Sequence, residues 1–245
     1  SLFTLRWREA FEHFPWEFLL ALGLGIGAAI LSLAKFLHWA LEEHPTLVYS
    51  VFFGLIVASV YVVRNRVKTW SLPTLLIVSL FAAGAYLLVG LRPAQTPNEL
   101  WFIFLSGMIA IWAMILPGIS GAFILVLLGK YHYILGALVN LDLVTVLVFM
   151  AGAALGIVGF ANVLRWLLDH YHDLTVAALV GFMLGSLREL WPWKQATLVN
   201  DIPVNVTNVL PSAFSGEVAL ALALMALGFA IVIAIEYLAE HRQTK

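Results

Sequence analysis

The stretch AMILPGISGAFILVLLGKY, residues 113–131, is apolar almost throughout but carries Pro-Gly-Ile-Ser-Gly in its middle, at residues 117–121. Proline and glycine are poor residues for the interior of a helix. Unpaired backbone groups are costly in lipid, so non-helical backbone at membrane depth is tolerated only where it is buried in protein or lines a cavity. The stretch therefore predicts a broken helix inside a membrane protein.

The composition of the whole chain also indicates a membrane protein. Of its 245 residues, 62% are hydrophobic and 11% are charged, whereas soluble domains carry roughly 25% charged residues. A net charge of −1 gives no electrostatic reason to expect a nucleic-acid partner. The absence of cysteine excludes disulfides, thiol nucleophiles and cysteine metal sites. We predict an all-α polytopic membrane protein with no cofactor and no metal site.

Apolar runs long enough to cross or enter a bilayer recur along the chain. The predicted segments are 16–41, 47–63, 70–91, 100–116, 122–138, 142–168, 174–190 and 217–239. Because the two segments beside the break are short for complete spans, we interpret residues 100–138 as a re-entrant helical hairpin. Residues 191–216 contain Pro, Asn and Trp and are predicted to be an interfacial loop.

An internal repeat is indicated when residues 25–59 are placed over residues 152–186 without a gap. The most informative identical pairs are Gly25/Gly152, Trp39/Trp166, Gly54/Gly181 and Ser59/Ser186. Three crossings and one hairpin separate the copies, so they face opposite ways and form an inverted-topology repeat. We assign residues 1–98 to the remainder of the first repeat and 99–245 to the second. A counterpart of the hairpin is expected upstream of residue 1.

Basic residues suggest which side of the membrane faces the cytoplasm. Three clusters fall on one side of the predicted topology, which the positive-inside rule makes cytoplasmic: Arg6 with Arg8, Arg64 with Arg66 and Lys68, and Arg242 with Lys245. Glu42 and Glu43 fall outside. Arg188 and Lys194 lie near the outer face, which counts mildly against this orientation.

The break itself has the residue types of an anion cradle. Pro117 ends the first half-helix, and Gly118 and Gly121 allow the backbone to approach a ligand. Ile119 and Ser120 add backbone donors and a hydroxyl at the start of the second half-helix, whose unpaired N–H groups attract anions. The alternative is a kinked or tightly packed helix pair, in which glycine only permits close approach.

Four cations are candidates for contact with an anionic headgroup, because charge within apolar segments is rare. They are Lys35, Lys130, Arg165 and Arg188. Snorkelling to the interface is the alternative for Lys130, and snorkelling or pairing for Lys35 and Arg165. For Arg188, beside Glu189, the alternative is a local or interfacial role.

Three stretches resemble the bacterial polyprenyl-phosphate transporter family PopT, once catalogued as domain of unknown function 368. LPGISGAFILVLLGKYHYIL (116–135) is similar to its second signature, residues 23–59 resemble its first-repeat core, and GFMLGSLRELWPW (181–193) resembles its second-repeat helix end. The resemblance implies a carrier that returns undecaprenyl phosphate from the outer to the inner leaflet of the bacterial cytoplasmic membrane. It implies a lipid-linked phosphate as substrate, among membrane lipids, with the headgroup at the broken helix.

Several alternatives stay open at this point. A secondary transporter of a small anion would use the same cradle but would open to water. A membrane lipid phosphatase would need a nucleophile and an acid/base cluster at the interface. A structural membrane subunit gives no reason for the broken hairpin. The coupling ion, proton or sodium, and the oligomeric state are also left open.

Overall fold

The computed structural model describes residues 16–199, 202–211 and 213–243. Arg6, Arg8, Lys245 and the expected upstream hairpin lie outside the described residues. The chain divides into two compact units, residues 1–48 and 49–245. These units are not the predicted repeats, whose boundary at 98/99 stays a prediction. The helices are α1 (Trp16–Glu43), α2 (Pro45–Arg64), α3 (Leu72–Leu88), α4 (Leu100–Ile115), α5 (Gly121–Leu127), α6 (Tyr131–Val139), α7 (Leu143–His170), α8 (His172–Ser186) and α9 (Gly216–Gln243).

The helices are those of a membrane protein, which confirms the predicted all-α class. Three of the described helices are long and apolar enough to cross a bilayer: Pro45–Arg64, Leu143–His170 and Gly216–His241. The pair formed by α5 and α6 is equally apolar but bends by 104°. Helices α3, α4 and α8 are shorter apolar helices.

The predicted interfacial loop at 191–216 is partly wrong. It contains an antiparallel hairpin of β1 (Lys194–Val199) and β2 (Ile202–Asn208), with a register irregularity between Thr197 and Leu198. The β-branched residues in KQATLV and IPVNVTN favour strands. Proline and asparagine in the same stretch hid that signal.

The prediction of one half-helix over 122–138 is also wrong, because the helix breaks a second time. Gly129 separates α5 from α6 with a φ of 65°, which favours glycine over any residue with a Cβ. A Cβ at Gly129 would lie 2.5 Å from the carbonyl oxygen of Ala94. The second bend therefore depends on glycine for both its backbone conformation and its packing.

Helices α3 and α8 pack closely and run parallel. A Cβ at Gly181 would lie 2.6 Å from the carbonyl oxygen of Val78, and one at Gly185 would lie 2.3 Å from that of Ala82. Small residues let helix backbones approach in a membrane, where burial of apolar surface gives no driving force between helices. These glycines fix α8 beside α3.

Helices α4 and α7 form a second close parallel pair. A Cβ at Gly152 would lie 2.0 Å from the carbonyl oxygen of Phe104. Eight residues further along α4, the indole N–H of Trp112 donates to the carbonyl oxygen of Gly156 at 3.0 Å. The first arm of the hairpin is thus held along the first half of α7.

Contacts at the middle and at the end of α2 show that it runs antiparallel to α8. Phe53, near the middle of α2, packs on Trp191, which follows α8, with ring centroids 5.7 Å apart. Thr69, which follows α2, donates its backbone N–H to the Asp173 carboxylate at the start of α8, at 2.9 Å. An inverted repeat requires this opposition of the two corresponding helices. The duplication itself stays a prediction.

The Asp173 carboxylate holds the connection between α2 and α3 in place. It accepts hydrogen bonds from the hydroxyl of Thr69 at 2.6 Å and from the backbone N–H of Lys68 at 3.1 Å, besides that of Thr69. The Asp173 side chain is half-buried at the start of α8. The Thr69 hydroxyl, followed by the Lys68 N–H and the His172 ring, holds the pKa of this carboxyl well below its ordinary value of 3.8.

We expect Asp173→Asn to lower the melting temperature of the solubilised protein near neutral pH. A depressed folded-state pKa stabilises the fold above the unfolded-state pKa, and this stabilisation is lost as the pH falls. The difference in melting temperature between native protein and variant should therefore shrink as the pH falls below about 4.

The matched control is Asp169→Asn, which removes an exposed carboxylate bound by none of the described residues. This control should melt like the native protein at every pH. A deficit of Asp173→Asn that stays constant through acid pH would contradict the prediction.

Candidate functional site

The break predicted from the sequence is a tight turn between α4 and α5. Helix α4 ends at Ile115 and α5 begins at Gly121. Gly118 has a φ of 94°, a left-handed conformation that side chains with a Cβ rarely adopt. A Cβ at Gly121 would lie 2.6 Å from the carbonyl oxygen of Ala110, so α5 folds back directly onto α4.

The two ends of the hairpin formed by α4 and α5 lie close together. The residues before α4 meet the residues after α5, because the backbone N–H of Ala94 donates to the carbonyl oxygen of Leu127 at 2.8 Å. The hydroxyl of Thr96 donates to the carbonyl oxygen of Leu128. The two open ends of the hairpin are therefore tied together, and its closed end at 116–120 is the tip.

The tip packs against the last turn of α8. A Cβ at Gly118 would lie 2.4 Å from the hydroxyl oxygen of Ser186 and 3.3 Å from the Cα of Met183. Ile119 is 7% exposed and belongs to a buried apolar cluster. Only the backbone of Ile119 can therefore meet a ligand.

The tip shows features of both interpretations of the break. Gly118 and Gly121 make the close contacts expected of a tightly packed helix pair. Ser120, in contrast, is exposed, and its side chain makes no capping hydrogen bond at the start of α5. The first N–H groups of a helix also have no partner within it. Packing holds the tip in place, while the Ser120 hydroxyl and nearby backbone donors stay available; Pro117, half-buried, ends the first arm.

Lys130 lies at the open end of the hairpin, far along the chain from the tip, and its side chain is 1% exposed. Its ammonium donates to the carbonyl oxygen of Thr96 at 2.8 Å and to the side-chain oxygen of Asn98 at 2.6 Å. The rings of Phe102 and Tyr133 lie 5.5 and 5.7 Å from the ammonium. Snorkelling of Lys130 is therefore wrong, because the ammonium is held inside the protein.

Arg188 lies two residues after Ser186, the last residue of α8, which contacts the tip at Gly118. Its guanidinium donates to the carbonyl oxygen of Tyr86 at 2.7 Å and lies 4.4 Å from the centre of that ring. The neighbouring Glu189 instead pairs with Lys194 at 3.1 Å. Arg188 thus contacts the end of α3, while its neighbour Glu189 pairs with a residue of β1.

The remaining two candidate cations are exposed on their helices. Lys35 lies in the unit 1–48, and Arg165 lies near the end of α7. Neither forms a salt bridge within the described part of the chain. In the unit 49–245, the structure holds Arg188 against the end of α3 and leaves Arg165 on the surface of α7.

Residues far apart in the sequence complete the surroundings of Arg188. The side-chain amide of Asn208, at the end of β2, donates to the carbonyl oxygen of Arg188 at 2.8 Å. The indole N–H of Trp191 donates to the carbonyl oxygen of Val209 at 2.8 Å. These loop residues follow no periodic pattern, so the sequence carried no signal for them. Among the described residues, no cluster of three or more His, Asp or Glu side chains could hold a metal ion.

Comparison with known proteins gives two kinds of match. A family model described as undecaprenyl phosphate translocase-like matches residues 1–209. A polyprenyl-phosphate transporter of Vibrio cholerae serotype O1 is 38% identical over 242 residues, which covers 94% of this chain and 79% of that protein. A polyprenyl-phosphate transporter of Staphylococcus aureus is 28% identical over 202 residues, covering 74% and 71%. No solved structure matches the chain.

We expect Lys130→Met to loosen the open end of the hairpin. The variant removes two hydrogen bonds from a buried ammonium, at a cost of about 2 kcal/mol in stability. Backbone amides at residues 94–98 should then exchange hydrogen faster, measured by mass spectrometry of the solubilised protein.

Lys35→Met is the matched control, since it removes an exposed lysine from another helix. Exchange at residues 94–98 should stay at the native rate in this control. Equal exchange in Lys130→Met and native protein would show that Lys130 does not hold this loop.

Proposed function

Because the chain belongs to the undecaprenyl phosphate translocase-like family, we propose that it carries undecaprenyl phosphate from the outer to the inner leaflet of the bacterial cytoplasmic membrane. Transport of a polyprenyl phosphate follows from the family and from its two relatives, each of which is named a polyprenyl-phosphate transporter. The protein is a membrane transporter and not an enzyme, so the phosphatase alternative is set aside. The direction of transport, the membrane concerned and a proton or sodium coupling ion are proposals.

The observation that carries the proposal is the hairpin tip, a non-helical backbone turn held inside a bundle of apolar helices. A phosphate headgroup cannot enter hydrocarbon alone, because an uncompensated charge is very costly there. A carrier has to replace the water around the headgroup with its own donors. Broken helices supply such donors near the midplane in inverted-repeat transporters.

The proposed headgroup contacts come mainly from residues 117–121. The exposed hydroxyl of Ser120 and the backbone N–H groups around Gly118, Ile119 and Gly121 would donate to phosphate oxygens. Pro117 would fix the turn that presents them. Lys130 would keep the hairpin closed at its open end.

The three cations other than Lys130 divide into two groups in this proposal. Arg188, two residues after the tip contact at Ser186, would add positive charge along the path of the headgroup. Arg165 and Lys35 are exposed on helices and would meet lipid phosphates elsewhere along the path.

The surface near the tip would suit a lipid substrate. Met114, one turn before the break, is 62% exposed, and Trp112 is 37% exposed. In a membrane these side chains would face lipid, where the apolar chain of a polyprenyl phosphate would stay while its headgroup meets the donors.

The test is binding of undecaprenyl phosphate to the purified full-length protein, compared with undecaprenol, which lacks the phosphate. Ser120→Ala should weaken phosphate-dependent binding about tenfold, the equivalent of one hydrogen bond to a charged group. Ser120→Thr, which keeps the hydroxyl, should bind like native protein. Gly121→Leu should abolish binding, because its side chain would collide with α4 and displace the tip.

Gly136→Leu is the control for Gly121→Leu, since a Cβ at Gly136 meets nothing within 4 Å. It should bind normally. Equal binding of undecaprenol and undecaprenyl phosphate would contradict headgroup binding at the tip. Unchanged binding of undecaprenyl phosphate in Ser120→Ala would contradict it as well.

A further inference from the structure

A cleft with one charged residue in its lining lies beside the last turn of α8. It has a volume of about 380 Å³ and is lined by Phe53, Tyr86, Leu184, Leu187, Arg188, Trp191, Asn208, Val209 and Leu210. We call it the Arg188 cleft. Most of its lining is aliphatic or aromatic, and its polar side chains besides Arg188 are those of Tyr86 and Asn208.

The guanidinium of Arg188 has donors to spare. An arginine side chain carries five N–H donors, and the hydrogen bond to the carbonyl oxygen of Tyr86 uses one of them. No carboxylate of the described residues pairs with Arg188, because Glu189 is bound to Lys194. A planar cation with free donors and no counter-ion suits a phosphate, which it can bind through two parallel hydrogen bonds.

We propose that the Arg188 cleft binds the phosphate of a membrane lipid, with the first part of the apolar chain against its walls. The chemistry is a phosphate on an apolar chain, which the transported polyprenyl phosphate or a bilayer phospholipid would supply. This inference rests on the proposed function for its choice of polyprenyl phosphate as the natural occupant. The phosphate site itself is argued from Arg188 and the cleft lining.

The position of the cleft relates it to the hairpin tip. Ser186, which contacts Gly118 at the tip, precedes Arg188 by two residues. Two residues separate Arg188 from this tip contact, so the proposed phosphate site would lie on the same path as the tip. A headgroup released by Arg188 would then pass to the donors of the tip.

Gly90 is the positioning residue for Arg188. A Cβ at Gly90 would lie 2.2 Å from Nη1 and 2.5 Å from Cζ of Arg188. Even alanine at this position would force the guanidinium away from the carbonyl oxygen of Tyr86. Gly90→Ala thus displaces the charge without removing it, which makes it a sharper test than deletion of the charge alone.

The experiment measures binding of undecaprenyl phosphate to the full-length protein in detergent, with undecaprenol and phosphatidylglycerol as the two comparison lipids. Arg188→Gln and Gly90→Ala should each weaken binding of undecaprenyl phosphate about tenfold or more and leave that of undecaprenol unchanged. Arg188→Lys should bind with intermediate strength, because lysine keeps the charge but not the planar pair of donors.

Two variants serve as matched controls. Gly84→Ala adds a methyl group on α3 where a Cβ meets nothing within 4 Å. Arg92→Gln removes an exposed arginine from the connection between α3 and α4. Both should bind undecaprenyl phosphate like native protein, and melting temperatures of all variants establish that they are folded.

The outcomes separate this inference from the proposed function. If Arg188→Gln binds undecaprenyl phosphate with native affinity while Ser120→Ala binds it more weakly, the phosphate site in the Arg188 cleft is wrong. The proposal for the tip is then unaffected. If the variant weakens the binding of undecaprenol equally, the phosphate site is also wrong, because phosphate would then not be the group recognised. If Arg188→Gln weakens the binding of phosphatidylglycerol as strongly as that of undecaprenyl phosphate, the occupant of the cleft is a bilayer phospholipid. Selective loss of undecaprenyl phosphate identifies the transported lipid as its occupant.

Discussion

The fold depends on how a non-helical turn is kept inside an apolar bundle. Backbone that leaves the helix at 116–120 loses hydrogen bonds that lipid cannot replace. The protein surrounds the turn instead, with α4 on one side and the end of α8 on the other. Gly118 and Gly121 are the contact points, and neither position has room for a Cβ. The other helix pairs, α3 with α8 and α4 with α7, hold these two walls in place through glycines of their own.

The same constraint explains why the open end of the hairpin is held together by hydrogen bonds. A short hairpin with one free end could open and expose its turn to lipid. The buried ammonium of Lys130 prevents this by binding Thr96 and Asn98, and Ala94 pairs with Leu127 beside it. A buried charge is costly unless its donors are satisfied, and backbone and amide oxygens satisfy it here without a carboxylate.

Local sequence signals predicted the parts of this structure that local chemistry decides. Hydropathy predicted the membrane class, and Pro117 with Gly118 and Gly121 predicted the break. The second bend at Gly129 was missed, because a single glycine inside an apolar run does not by itself end a helix. The β-hairpin at 194–208 was missed for a similar reason, since short strands with interspersed proline and asparagine resemble a loop. The partner of Arg188 could not be predicted, because Tyr86 lies 102 residues away and its contact depends on the packing of α3 against α8.

The tip and the Arg188 cleft differ in a way that matters for a carrier. The tip offers a hydroxyl and backbone N–H groups, which are neutral donors, whereas the cleft offers a full positive charge. A full charge attracts a phosphate over a longer distance but also holds it more tightly where water is excluded. Neutral donors replace part of the hydration shell without forming an ion pair. In the proposed path, the cation would therefore select the headgroup and the tip would carry it across the middle of the membrane, where binding has to stay weak enough for release.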